Sequence, residues 1–324
     1  MSESDSSAAA ALAVGVVGLG QMGGGIARNL DRAGLLVGAY DVAPDSFAAQ
    51  EFSSRVADMS PAELGKACDI VIFVVPATPQ IRAVLEGADG LLSVARPGQI
   101  LCDLTTSYPP DTLELVEMAK AAGRTYLDCG MTGGATGADQ GRLALFIGGD
   151  ADVLERARPA LEKFTIKLIH LGPSGSGQAM KLVHNMILHT TYLATVEGCR
   201  ILEDAGLDLA AVIDSLNSGN ARSYTTEFRF PKHILSGKWD ARSYVSNLAK
   251  DLGMAVRYSN AAGKPAVFGT LTSTILDRAI EQGHARDDYA LLYKYFEDLV
   301  DSFDEPIELG GKTEAEAKSG RGAA

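Results

Sequence analysis

The stretch Gly175-Ser-Gly177-Gln-Ala-Met-Lys181-Leu-Val-His184-Asn185 places a lysine and an asparagine four residues apart. In a helix that spacing puts both on one face. A lone helical lysine is ordinarily a solvated charge. Here Met180, Leu182, Val183, Met186, Ile187 and Leu188 surround the pair and leave little of the helix for solvent. A partly buried ammonium has a lowered pKa and can exchange a proton near neutral pH. The Gly-Ser-Gly turn allows something to approach the helix start closely.

A second constellation is Val14-Gly-Val-Val-Gly18-Leu19-Gly20-Gln21-Met22-Gly23. A valine-rich strand precedes it and a helical stretch, closed by Gly34, follows. Gly18 permits a tight turn, Gly20 lets backbone approach a pyrophosphate, and Gly23 allows close helix–strand packing. The helix start supplies free N–H groups and partial positive charge for the phosphates. Asp41 follows Gly23 by 18 residues, at the end of the next strand. A carboxylate there accepts both ribose hydroxyls and repels a 2′-phosphate, and no arginine follows at once, so NAD is expected over NADP. The competing interpretations are a plain strand–helix turn and a solvated turn aspartate.

These residues need a scaffold, and the chain supplies its pattern. Short apolar runs at 12–17, 35–40, 70–75, 99–104, 125–129, 143–148 and 167–171 alternate with amphipathic stretches. Pro61 after Ser60 marks a helix start, and a helix over 109–121 stops at Gly123. Such alternation predicts a doubly wound, mostly parallel α/β sheet of Rossmann type over 12–172. Beyond it, helical period continues through 178–205, 209–216, 225–235, 248–261, 271–282 and 289–303 without a convincing strand. The expected organisation is therefore a dinucleotide-binding domain over 12–172 and an all-α domain over 173–307. The polar or small-residue tails 1–11 and 308–324 are expected to be disordered.

The 324 residues are 46% hydrophobic and 22% charged, as in globular proteins. The net charge of −12, with no basic run, argues against a nucleic-acid partner. No apolar run approaches the length of a membrane helix. The apolar stretch 8–18 has no positive flank before it and runs into the glycine motif, so it does not resemble a secretion signal. Cys68, Cys102, Cys129 and Cys199 show neither paired nor zinc spacing, as expected of reduced thiols in a cytoplasmic protein.

Taken together, the motifs resemble those of the β-hydroxyacid dehydrogenases, the family of 3-hydroxyisobutyrate dehydrogenase, tartronate semialdehyde reductase and 6-phosphogluconate dehydrogenase. Four match in order: Gly18–Gly23; Asp128-Cys-Gly-Met-Thr132-Gly133-Gly134-Ala-Thr-Gly137-Ala; Gly175–Asn185; and Lys250-Asp251-Leu252-Gly-Met-Ala. The resemblance implies an NAD-dependent oxidoreductase that interconverts a small β-hydroxy acid and its semialdehyde or ketone. It implies Lys181 as general acid/base, Asn185 as a substrate ligand, and Thr132, Gly133 and Gly134 as the turn that binds the substrate carboxylate. Lys250 and Thr106 would lie at the nicotinamide end, Val75 and Pro76 near the adenosine part, and the helical half would form a homodimer or homotetramer. Cys129-Gly130 stands where relatives have Ala-Pro, and Met131-Thr132 where they have Val-Ser. These departures bear on the loop's shape and on which acid is used.

Two rival readings share this architecture. An imine reductase of similar fold would generally lack a lysine at 181, and a non-catalytic NAD(P)-binding interaction protein would be expected to lose it or carry a targeting module. His170 and His189 lack ligand spacing, so no metal site is expected. His184 is open between packing and tuning the site. Asp251 is expected as a local hydrogen-bond or charge partner, the aromatic residues over 224–230 and Trp239 as core or interface, and Arg222 and Ser223 are not placed.

Overall fold

The computed structural model describes residues 12–301. Both tails discussed above, 1–11 and 308–324, lie outside the described residues. The described chain forms two compact units, one of residues 12–190 and 250–270 and the other of 191–249 and 271–301.

The first unit is built on an eight-stranded sheet. Its strands are β1 (Val14–Val17), β2 (Leu36–Tyr40), β3 (Ala57–Asp58), β4 (Ile70–Phe73), β5 (Ile100–Asp103), β6 (Thr125–Thr132), β7 (Leu143–Gly148) and β8 (Thr165–Gly172), in spatial order 3-2-1-4-5-6-7-8. All neighbours run parallel except β6 and β7. β3 was not foreseen: two exposed residues carry no alternation to read. β6 runs three residues further than its apolar run, because Gly130, Met131 and Thr132 pair with Phe146, Leu145 and Ala144.

β4 shows why the sheet needs cover on both faces. Ile70 and Ile72 enter one core with Val14 and Val16, while Val71 and Phe73 enter another with Val17 and Leu101. Helices α1 (Gln21–Arg32), α2 (Pro61–Ala67), α3 (Thr78–Glu86), α4 (Pro109–Ala121), α5 (Gly134–Gln140) and α6 (Ala151–Leu161) connect the strands. Ser60 and Glu63 close α2 with reciprocal side-chain-to-backbone bonds of 3.4 and 2.8 Å. Strand order reverses between β1 and β4, so the loops after these two strands open a crevice at their carboxyl ends.

α7 (Ser176–Asp204) begins in the first unit and continues into the second. The sequence pattern puts a domain boundary at 172, but 176–190 and 250–270 group with the sheet. The physical cause is close backbone packing: a Cβ on Gly177 would overlap the carbonyl oxygens of Asp128 and Phe146. The remaining elements are α8 (Leu209–Ser218), a π-helical turn (Thr225–Leu235), α9 (Val245–Ala261), α10 (Val267–Glu281) and α11 (Leu292–Val300). In the second unit the fully buried Tyr192 donates to the carbonyls of Tyr289 or Ala290 and contacts the Phe230 ring.

Candidate active site

The turn after β1 has the form a pyrophosphate needs. Gly18 has φ +92°, and a Cβ there would strike the Val74 carbonyl in the loop after β4. A Cβ on Gly23 would strike the Gly18 carbonyl, so this helix can start so near its strand only with glycine. The Cβ position of Gly20, which caps α1, is open. A helix start approached this closely by backbone suits phosphate oxygens. Leu19, Gln21 and Met22 complete the turn, and Asp41 braces it. One Asp41 oxygen accepts the Leu19 N–H at 2.6 Å and the other the Ala43 N–H at 2.8 Å. Asp41 is thus a structural part of the turn.

Across the crevice, the Val75 N–H donates to the Thr105 hydroxyl at 3.2 Å. Thr106, named from the sequence, sits half-buried beside it in the loop after β5. That loop is tied to α7 by the fully buried side chain of Gln178. Its amide nitrogen donates to the Thr105 carbonyl at 2.6 Å, and its oxygen accepts the Ser107 N–H at 3.1 Å.

The lysine and asparagine meet as their spacing predicts. Lys181 is 9% exposed and Asn185 5%, and Lys181 Nζ donates to Asn185 Oδ1 at 2.9 Å. Because an ammonium can only donate, Oδ1 must face Lys181 and the amide NH₂ must face the other way. It does: Nδ2 donates to Asp251 Oδ2 at 2.6 Å. The same Oδ1 lies 3.0 Å from His184 Nδ1, which therefore carries the ring proton. Nε2 faces the Thr132 hydroxyl at 3.5 Å. His184, open in the sequence, thus belongs to the site as the bridge between Asn185 and Thr132.

Asp251 leads on to the loop after β4. Its Oδ1 lies 3.4 Å from Lys250 Nζ, which donates to the Pro76 carbonyl at 2.9 Å. A polar chain therefore runs from Thr132 through His184, Asn185 and Asp251 to Lys250 and Pro76, with Lys181 bonded at its centre. Gly133 and Gly134 follow Thr132 with φ of +125° and +64°, both solvent-exposed, and the Cβ position of Gly134 is open. Arg222 and Ser223 belong to the second unit, where Arg222 lies 3.6 Å from Glu227 and Ser223 bonds with Thr226.

Sequence reasoning missed two residues that hold this array. Asp128, fully buried on β6, accepts the Gly175 N–H at 2.7 Å and the Gln178 N–H at 3.0 Å. What approaches the start of α7 is therefore the protein's own carboxylate and strand, not an external group. Asp103 is its register partner on β5, and its Oδ1 accepts the Thr105 N–H at 2.9 Å. Burial pushes both carboxyls above the usual range, Asp103 up to about 7, against the backbone N–H groups that bond them. An acidic residue inside an apolar strand was the available signal.

The chain is similar to known proteins over nearly its whole described length. Residues 13–172 match the family described as the NAD binding domain of 6-phosphogluconate dehydrogenase. Residues 175–296 match the one described as NAD-binding of NADP-dependent 3-hydroxyisobutyrate dehydrogenase. The L-threonate dehydrogenase of Cupriavidus necator is 30% identical, over 93% of this chain and 99% of that protein. A probable mitochondrial 3-hydroxyisobutyrate dehydrogenase of Dictyostelium discoideum is 29% identical, over 87% and 90%. Among solved structures, the Mycobacterium tuberculosis 3-hydroxyisobutyrate dehydrogenase with L-serine superposes with a TM-score of 0.79 at 28% identity, covering 88% of this chain and 99% of that one.

Proposed function

The chain belongs to the β-hydroxyacid dehydrogenase family, and from that premise we propose that it oxidises a small β-hydroxy acid to its semialdehyde or ketone, reversibly, with Lys181 as general acid/base. The observation that carries this is the buried Lys181–Asn185 bond, at the centre of a polar chain joining the Thr132 turn to the loop after β4. A bound nicotinamide supplies hydride acceptance. Lys181, as the neutral amine, would take the substrate hydroxyl proton on oxidation and, as the ammonium so formed, return it on reduction, while the Asn185 amide N–H not bonded to Asp251 would hold the same oxygen. Thr132, Gly133 and Gly134 would bind the carboxylate through backbone N–H groups. The intact Lys181 speaks against the imine-reductase and non-catalytic alternatives. The test is a panel of 3-hydroxyisobutyrate, L-serine, L-threonate and 2-(hydroxymethyl)glutarate, followed by nicotinamide absorbance with NAD and with NADP. Tight cofactor binding without turnover of any β-hydroxy acid would defeat the proposal.

NAD is the preferred cofactor in this proposal, and Asp41 is the cause. Its carboxylate stands at the end of β2 and would repel a 2′-phosphate. Asp41→Ser should lower the NAD-to-NADP ratio of kcat/KM by about tenfold. It should also weaken NAD itself, because the Leu19 N–H loses its acceptor. A wild-type protein that works better with NADP would overturn the assignment.

The partners proposed are a small carboxylated substrate and further copies of the same chain, in a homodimer or homotetramer. Met180, Val183 and Ile187, expected from the sequence to leave little of α7 for solvent, instead form an exposed apolar stripe at helical spacing, and Phe268 in the same unit is 75% exposed. Four free, buried cysteines fit a reducing cytoplasm. Light scattering at micromolar concentration should return the mass of at least two chains, and a monomer would contradict this.

A further inference from the structure

We propose that Asp128 is a positioning residue for the reaction, setting the register of α7 on β6 and so the place of Lys181; this rests on the proposed role of Lys181. Alternate residues of a strand share a face, and residues three apart on a helix nearly do. β6 and α7 meet in that rhythm. Asp128 bonds the backbone of Gly175 and Gln178, Gly130 lies against the stem of Lys181, and Thr132 reaches His184. The strand thus advances by two at each step while the helix advances by three, from 178 to 181 to 184.

Only the first of these three contacts is strong enough to hold the register. The Thr132–His184 approach is 3.5 Å long, and Gly130 offers only shape, since a Cβ there would come within 2.5 Å of Lys181 Cβ. Asp128 instead makes charge-assisted bonds to the helix start, and Gly177 N–H also points at its carboxylate. Ser176 N–H goes to the Pro173 carbonyl and Ala179 N–H to that of Gly175, so the first turn of α7 is fully bonded. Gln178 carries the register onward: its backbone is held by Asp128 and its side chain holds the loop of Thr105 and Thr106. One carboxylate thereby relates the proton-transfer helix to the loop assigned to the nicotinamide end.

Asp128→Asn tests this. An amide keeps the volume but can accept with only one of its two polar atoms, so one helix N–H faces another donor. A helix displaced by about 1 Å should cost up to 10²-fold in rate, and we expect kcat to fall 10- to 100-fold. The NADH dissociation constant should stay within threefold, because the turn of Gly18–Gly23 is untouched. Amide exchange at Gly175, Gly177 and Gln178 should accelerate. In the Lys181→Ala background the same change should cost less than threefold, since a residue acting through Lys181 has nothing left to position.

Wild-type kcat in Asp128→Asn would overturn the proposal, as would loss of NADH binding together with kcat, or a full second loss in the double variant. Should Asp128→Asn not fold, Gly177→Ala displaces the same turn from the strand carbonyls without altering a charge. It should give the same kcat loss at constant NADH affinity, and unchanged kcat there would overturn the register argument. High turnover in Lys181→Ala alone would instead defeat the proposed function. An inactive Lys181→Ala beside a fully active Asp128→Asn defeats only the clamp.

Discussion

Lys181→Ala is expected to lower kcat by three or more orders of magnitude while leaving nicotinamide-cofactor affinity nearly unchanged. Proton transfer by a positioned side chain contributes about 10²–10⁴-fold, and the ammonium also stabilises an alkoxide as it forms. The two halves of the expectation come from different places in the structure. Lys181 bonds Asn185 on α7, whereas the turn that would hold the pyrophosphate follows β1 and is braced by Asp41. Removing the lysine also leaves Asn185 Oδ1 with the His184 donor, so the amide keeps its orientation toward Asp251. Water cannot replace the lysine well, because a solvent molecule there is neither charged nor fixed. Stopped-flow turnover and a fluorescence titration with NADH check the two halves separately. A variant that retains a tenth of wild-type kcat would show that Lys181 is not the proton-transfer group.

The methyl ester of the best substrate should lose about two orders of magnitude or more in kcat/KM. After Thr132, two consecutive glycines at positive φ turn the backbone sharply beside an open Cβ position. Backbone N–H groups in such a turn suit an anion, and each charge-assisted bond contributes roughly 1.5–3 kcal/mol. Esterification removes the charge and adds bulk against the turn. Thr132→Val should cost less, because it deletes one hydroxyl, already in a long contact with His184, and keeps the backbone donors. Equal rates for acid and ester would mean that this turn serves a neutral substrate.

Much of the scaffold was legible because its signals are local. Seven of the eight strands carry apolar runs, and only β3, two exposed residues, lacks one. The extension of β6 to Thr132 was hidden for a related reason. Gly130, Met131 and Thr132 make no apolar run, and they join the strand only because β7 lies antiparallel beside them. Likewise, nothing in 250–270 read alone assigns it to the sheet unit. There Arg257 stacks over Tyr108, and Lys250 reaches Pro76.

The glycine turn, the acid after β2 and the lysine–asparagine pair were all readable in the chain alone, because each depends on spacing within one strand–helix unit or one helical turn. Tertiary structure decided what surrounds the pair. Asn185 meets Asp251 across 66 residues, His184 meets Thr132 across 52, and Lys250 meets Pro76 across 174. Asp128 meets the start of α7 across 47 and 50 residues. No periodicity records such contacts: they exist because strand order and close glycine packing bring β6, α7 and the 250–270 segment to one place. A buried carboxylate reads the same in sequence whether it catalyses, caps a helix or merely ends a strand, and only its partners distinguish these roles.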